Sequence, residues 1–302
     1  MRATERDIPA AGLVLHARET GPGDGPAVVL LHGWPQDSTA FDGVAAALGG
    51  EIRTIALDLP GVGGSRGRPP TGEKRALAAI VRAALAEVGA ANVTLVGHDI
   101  GGMVAYAYLR AFPGELAGAA IFNVAIPGVA PWPEVIANPH IWHFGFHAVP
   151  DLPERIVEGR QAAYFDYFFD AIAGPNGVSP AARPRYAAAY ARPEALSAGF
   201  DWYRAFEADA RWNQAAAKRP VTTPVLYLRG DAERAGLDTY LDGLWRAGLT
   251  RLVGRTLADC GHFSLDEQPQ AVAAEIARFV SLTASSAGRR RYRRPSLRAS
   301  GR

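Results

Sequence analysis

The chain of 302 residues holds one cysteine, Cys260, and only two methionines. A lone thiol excludes an internal disulfide framework and any site built on several cysteine ligands. No run approaches the roughly 18 apolar residues that a membrane-spanning helix needs. The opening residues, MRATERDIPAAG, carry charges where a secretory leader would carry an apolar stretch. These absences predict a cytoplasmic, unanchored protein with no membrane partner. A strong excess of one charge is missing too: the formal net charge is +2. The basic surplus is local, because residues 287–302, AGRRRYRRPSLRASGR, hold seven arginines and no acid. Like charge mixed with Pro, Ser and Gly reads as a disordered tail over residues 284–302, so no nucleic-acid partner is expected.

What the chain does have is alternation. Apolar runs at Ala27–Leu31, Thr54–Leu57, Val93–Val96, Ala119–Val124, Val225–Leu228 and Leu252–Leu257 read as strands, most of them buried and parallel. Helical patterns at Lys74–Val88, Gly102–Phe112 and Leu265–Leu282 lie among them. Strand and helix in alternation predict an α/β fold with a mostly parallel, doubly wound sheet. The alternation stops at Pro127 and resumes after Lys218. Residues 127–218, rich in aromatics, proline and short helical patterns, are expected to form a helical cap inserted after the sixth strand. The core is then 1–126 and 219–283. Such an insertion belongs over the carboxyl edge of the sheet, where ligands bind in this architecture.

The strand Val93–Val96 runs into Gly97-His98-Asp99-Ile100-Gly101-Gly102 and then a helix. This is the strand-turn-helix setting of a nucleophile elbow, in which small residues let the chain turn and hold one side chain at the edge of the sheet. Here that side chain is Asp99. Carboxylates as a type are ionised at neutral pH and attack without a base. They suit displacement at saturated carbon, since attack on an ester carbonyl would give a high-energy anhydride. His32-Gly33-Trp34-Pro35 follows an earlier strand, as an oxyanion loop does in this fold, so the backbone N–H groups of Trp34 and Ile100 are the expected oxyanion hole. His262, in Asp259-Cys260-Gly261-His262-Phe263, follows the last strand and is the expected base by chain order. His32 and His98 are read as loop anchors, and Cys260 as inert. After Val225–Leu228, Arg229-Gly230-Asp231-Ala232-Glu233 offers two orienting carboxylates, and the usual phase favours Glu233 over Asp231. His140, His143 and His147 recur at helical spacing, but Pro139, Gly145 and the lack of a HExxH pattern argue against a metal. No cofactor is expected.

With Gly-His-Asp-x-Gly-Gly, His-Gly-x-Pro and Gly-His-Phe in place, the chain resembles the α/β-hydrolase-fold epoxide hydrolases and their haloalkane and fluoroacetate dehalogenase relatives over about residues 8–282. The resemblance implies an ester intermediate on Asp99, and cap groups, usually two tyrosines, that protonate the epoxide oxygen. Tyr203 looks like the second tyrosine, while the first tyrosine's place is taken by His143, a departure from the usual pair. Fluoroacetate dehalogenases carry arginines one and four residues after the nucleophile, where this chain has Ile100 and Met103. Haloalkane dehalogenases carry a tryptophan after it and an asparagine in the oxyanion loop, where this chain has Ile100 and Trp34. The alternative position for the orienting acid holds Asn123, which adds weight to Glu233. The expected activity is therefore epoxide hydrolysis, with hydrolytic dehalogenation as the alternative. The expected partner is a small, apolar epoxide in a pocket that includes Trp142, Phe144 and Trp202, and the sequence leaves room for a homo-oligomer.

Overall fold

The computed structural model describes residues 3–23, 25–233 and 236–291, with side chains to residue 284. Its strands are β1 (Thr4–Ala10), β2 (Leu13–Thr20), β3 (Pro26–Leu31), β4 (Arg53–Leu57), β5 (Ala91–His98), β6 (Gly118–Phe122), β7 (Val225–Gly230) and β8 (Leu252–Leu257). They form one sheet in the order β1-β2-β4-β3-β5-β6-β7-β8. From β4 through β8 every neighbouring pair is parallel, whereas β2 is antiparallel to both β1 and β4. Every residue of β4, β6 and β7 is buried, so both sheet faces are covered there. Side chains such as Val29, Leu30, Leu95, Val96 and Ile121 are wholly buried. Each contributes roughly 1.5–3 kcal/mol of hydrophobic stabilisation.

No apolar run in the sequence marked β1 or β2, although a cap after the sixth strand already counts two strands ahead of β3. In β1 the first four residues, Thr4 to Asp7, face solvent and only Ile8 and Ala10 are buried, so the strand has no apolar run to announce it. At the other end, Pro269 supplies no backbone N–H, and the expected final helix divides into Ser264–Glu267 and Pro269–Arg291. The second piece continues through residues 284–291, which the sequence assigned to a disordered tail. Alanine and arginine are good helix formers and extend it. The remainder of that tail, residues 292–302, lies outside the described residues.

Between β6 and β7 the described chain forms seven α-helices: Trp132–Ala137, Trp142–Ala148, Leu152–Val157, Gln161–Ile172, Arg183–Ala189, Pro193–Arg204 and Phe206–Ala216. This insertion packs on the loops that leave the carboxyl ends of the strands. The Trp34 ring, just beyond β3, meets Phe165 and Phe168 with centroids 5.2 and 5.0 Å away. The His262 N–H donates to the Ile172 carbonyl at 3.0 Å. Among the described residues no helix is long and apolar enough to cross a membrane.

Candidate active site

β5 ends at His98, and Asp99 stands alone between it and the helix Ile100–Ala111 with φ 50° and ψ −121°. A non-glycine residue in such a conformation costs of order 1–3 kcal/mol and persists only where its surroundings fix it. The fixing contacts are the Asp99 N–H donating to the Phe122 carbonyl and the Gly101 N–H donating to the His32 carbonyl, both at 3.0 Å. A Cβ on Gly97 would lie 2.1 Å from the Gly101 carbonyl oxygen, and one on Gly101 would lie 2.1 Å from that of Leu31. Only glycine allows the elbow to close this tightly. The turn delivers the Asp99 side chain into a cavity of about 610 Å³ between the sheet edge and the insertion.

His262 reaches the same cavity from the loop after β8. Its Nε2 is 3.3 Å from Asp99 Oδ2 and its Nδ1 is 3.7 Å from Glu233 Oε1. Burial disfavours a charge on this ring, but the two carboxylates outweigh burial and raise His262 to about 9. Glu233, rather than Asp231, faces the imidazole; Asp231 is turned outward and accepts the Cys260 N–H at 3.2 Å. Burial opposes ionisation of Glu233 too. His262, the Arg229 guanidinium at 3.0 Å and the Asn123 amide at 2.9 Å prevail and hold its carboxyl below the usual range.

Further residues brace this arrangement, and of these Ser264 and Glu267 were not singled out from the sequence. Asn123, with φ 53°, leaves the end of β6 and donates to Glu233 and to the Gly261 carbonyl, while its own oxygen accepts from Ser264 at 2.6 Å. Glu267 accepts three backbone N–H groups, from Gly261, Phe263 and Gly174, at 2.9, 3.0 and 2.7 Å. A buried carboxylate thereby holds both sides of His262 and a residue of the insertion. His98 Nε2–H donates to the His262 carbonyl at 2.7 Å, and burial together with the nearby His262 cation drives His98 down to about 4. His32 is fixed as its Nδ1–H tautomer: it donates to the Gly33 carbonyl and accepts the Leu59 N–H on Nε2. No local motif marks Asn123, Arg229 or Glu267; their only signal is that a buried carboxylate and a loop histidine need partners.

Trp34 and Ile100 line the cavity beside Asp99, and the backbone N–H of neither donates to another group among the described residues. Above Asp99, Tyr203 is 3% exposed and its hydroxyl has no hydrogen-bond partner among the described residues. Burial, followed by the Asp99 charge, holds that phenol well above its usual range. The His143 ring lies 6.0 Å from the Tyr203 ring and 6.3 Å from that of Trp34. Burial pushes it down to about 4 against the pull of Asp99, so it is neutral at pH 7. Phe144 lines the cavity as expected. Trp202 and Trp142 do not. A helix turns about 100° per residue, so with Tyr203 facing the cavity Trp202 points away, fully buried beside His32 and Tyr190. Trp142 is 43% exposed on the outer face, with its indole N–H 3.4 Å from the Tyr167 hydroxyl. His147 bonds Tyr164 at 2.7 Å while His140 is exposed, and no group of three metal-ligating side chains gathers among the described residues.

Known proteins share this architecture. The soluble epoxide hydrolase of Corynebacterium sp. (strain C12) is 29% identical over 83% of this chain and 88% of its own. The fluoroacetate dehalogenase of a Burkholderia species is 28% identical over 86% and 88%. The crystal structure of Cfl2 from Burkholderia cenocepacia superposes with a TM-score of 0.85 at 31% identity, covering 93% of this chain and 96% of that one. The profile of the alpha/beta hydrolase family matches residues 28–275, from the third strand into the final helix. Sheet order, elbow and relatives agree, and the chain belongs to the alpha/beta hydrolase family as a hydrolase.

Proposed function

We propose that the chain opens an apolar epoxide to a vicinal diol through an ester on Asp99, with the helical insertion acting as a cap over the substrate. A carboxylate oxygen of Asp99 attacks an epoxide carbon, and the ring C–O bond breaks with its electron pair left on the ring oxygen. Tyr203 and neutral His143 hydrogen-bond that oxygen, which takes the phenolic proton and becomes a hydroxyl. Esterification removes the Asp99 charge that supports the His262 cation, and the proton His262 gives up restores Tyr203. Neutral His262, oriented by Glu233, then takes a proton from water, whose oxygen attacks the carboxyl carbon. The Trp34 and Ile100 N–H groups hold the oxyanion, and each such donor is worth about 3 kcal/mol in the transition state. The bond from the carboxyl carbon to the alkyl oxygen breaks, that oxygen takes the proton left on the newly added carboxyl oxygen, the diol leaves, and Asp99 carboxylate and His262 cation are restored.

The observation that carries this reading is His262 Nε2 at 3.3 Å from Asp99 Oδ2 in a cavity that also holds the unpartnered Tyr203 hydroxyl. A single turnover in heavy-oxygen water tests it: the new diol oxygen is expected to come from Asp99, and the label to appear in the Asp99 carboxylate. Label in the first diol released would sink the ester route. Asp99→Ala is expected to abolish turnover while the protein stays folded.

A second reading replaces the epoxide with an alkyl halide and keeps the same ester. It is favoured by the buried Trp34 indole N–H, which has no partner beside His143 and suits a leaving anion. Ile100 and Met103 offer no cation to a substrate carboxylate, which favours the epoxide. Halide release from haloacids and haloalkanes, assayed beside diol formation from styrene oxide, decides between them.

A further inference from the structure

Lys74 opens the helix Lys74–Glu87 and is only 2% exposed, yet no step above uses it. A buried ammonium is costly unless it is paired and hydrogen-bonded. Its Nζ lies 2.8 Å from Asp209 Oδ2, donates to the Trp202 carbonyl, and sits 4.5 Å from the centroid of the Phe206 ring. The backbone N–H of Lys74 donates to Asp209 Oδ1 at 2.9 Å. Asp209, on the helix Phe206–Ala216, therefore caps a helix of the sheet domain whose own preceding residue, Glu73, makes no side-chain cap. In return, Lys74 satisfies a carbonyl in the last turn of Pro193–Arg204, where a cation is favoured.

This junction adjoins Tyr203 on two sides. The Trp202 carbonyl belongs to the peptide unit that leads into Tyr203, and the Phe206 ring packs 5.1 Å from the Tyr203 ring and lines the same cavity. The two parts of the molecule also meet closely here, since a Cβ on Gly72 would lie 2.0 Å from the Asp201 carbonyl oxygen. Burial pushes the Lys74 ammonium down; Asp209 opposes this first and the Asp99 charge after it, so Lys74 lies within the field of the site. Buried ion pairs add little net stability compared with apolar packing, which leaves geometry as what this one supplies.

We propose that Lys74, held by Asp209, is a positioning residue for Tyr203: it grips the peptide that carries Tyr203 and the ring that supports it, and so fixes the hydroxyl over Asp99. The proposal rests on the reading of Tyr203 as a group that hydrogen-bonds the leaving oxygen. Its test is a double-mutant cycle in rapid-quench single turnovers with styrene oxide, reading ester formation and ester hydrolysis separately per titrated active site. Tyr203→Phe alone is expected to slow ester formation. Lys74→Met is expected to slow ester formation about 10-fold in the Tyr203 background, because small misplacements of catalytic groups carry large rate penalties. It should leave ester hydrolysis unchanged and have no further effect in the Tyr203→Phe background. An equal loss in both backgrounds, or a loss shared between ester formation and hydrolysis, overturns the positioning role and leaves the proposed function standing. If Tyr203→Phe does not slow ester formation, the role of Tyr203 falls and the positioning role with it. Should the Met variant fail to fold, Asp209→Asn, which keeps an oxygen for the Lys74 N–H, is read through the same cycle with the same outcomes.

Discussion

At the scale of single residues, the site is governed by two carboxylates that share one imidazole. Asp99 and Glu233 together raise His262 to about 9, so the ring is cationic before substrate arrives. In the proposed mechanism it becomes a base only when one of the two charges is removed, as ester formation on Asp99 would do. Glu233→Gln takes away the other charge and leaves Nδ1 only a neutral amide as partner. Hydrolysis of the ester is then expected to slow by roughly 10²–10⁴, the usual contribution of a general base, while ester formation persists. Intact-protein mass spectrometry should show alkylated enzyme accumulating in this variant. Asp99 and His262 were legible in the sequence because each sits in a local motif bounded by small residues. Glu233 could be chosen over Asp231 by spacing. Asn123 could not be assigned its task, since its contact with Glu233 spans 110 residues. Trp202 was misplaced because residue type alone does not say which way a helix position faces.

At the scale of elements, the loop that carries His262 is held by a carboxylate from the short helix that follows it. Glu267 receives three N–H groups, two from the loop and one from the insertion. Glu267→Gln replaces one accepting oxygen with a donor and leaves at least one buried N–H without a partner. The expected cost is about 1–3 kcal/mol, measured as a shift in the urea midpoint at unchanged slope. The buried parallel strands were readable because both faces are covered and their apolar runs are continuous. The antiparallel hairpin was not, because β1 buries only two residues and its pairing with β2 is decided by contact between strands. The short insertion helices, several with proline in the first turn, leave only a weak pattern in a sequence crowded with aromatics.

At the scale of the whole molecule, the paired His262 makes stability depend on pH. Its folded-state value of about 9 lies above the ordinary 6.5. The stabilisation from its charge is therefore complete below about pH 6.5 and is lost as pH rises through about 9. The difference in melting temperature between the wild type and His262→Gln is expected to shrink across that window; a difference that widened would contradict the pairing.

The insertion is fastened where it crosses the His262 loop, through the Ile172 carbonyl and through the Glu267 carboxylate that Gly174 shares with Gly261. Lifting this corner would free the His262 loop at the same moment that it opened the cavity. The exposed Glu134 and His140 line another part of the same cavity. One carboxylate ties the cover over the cavity to the placement of His262, so a change at Glu267 is felt by both together.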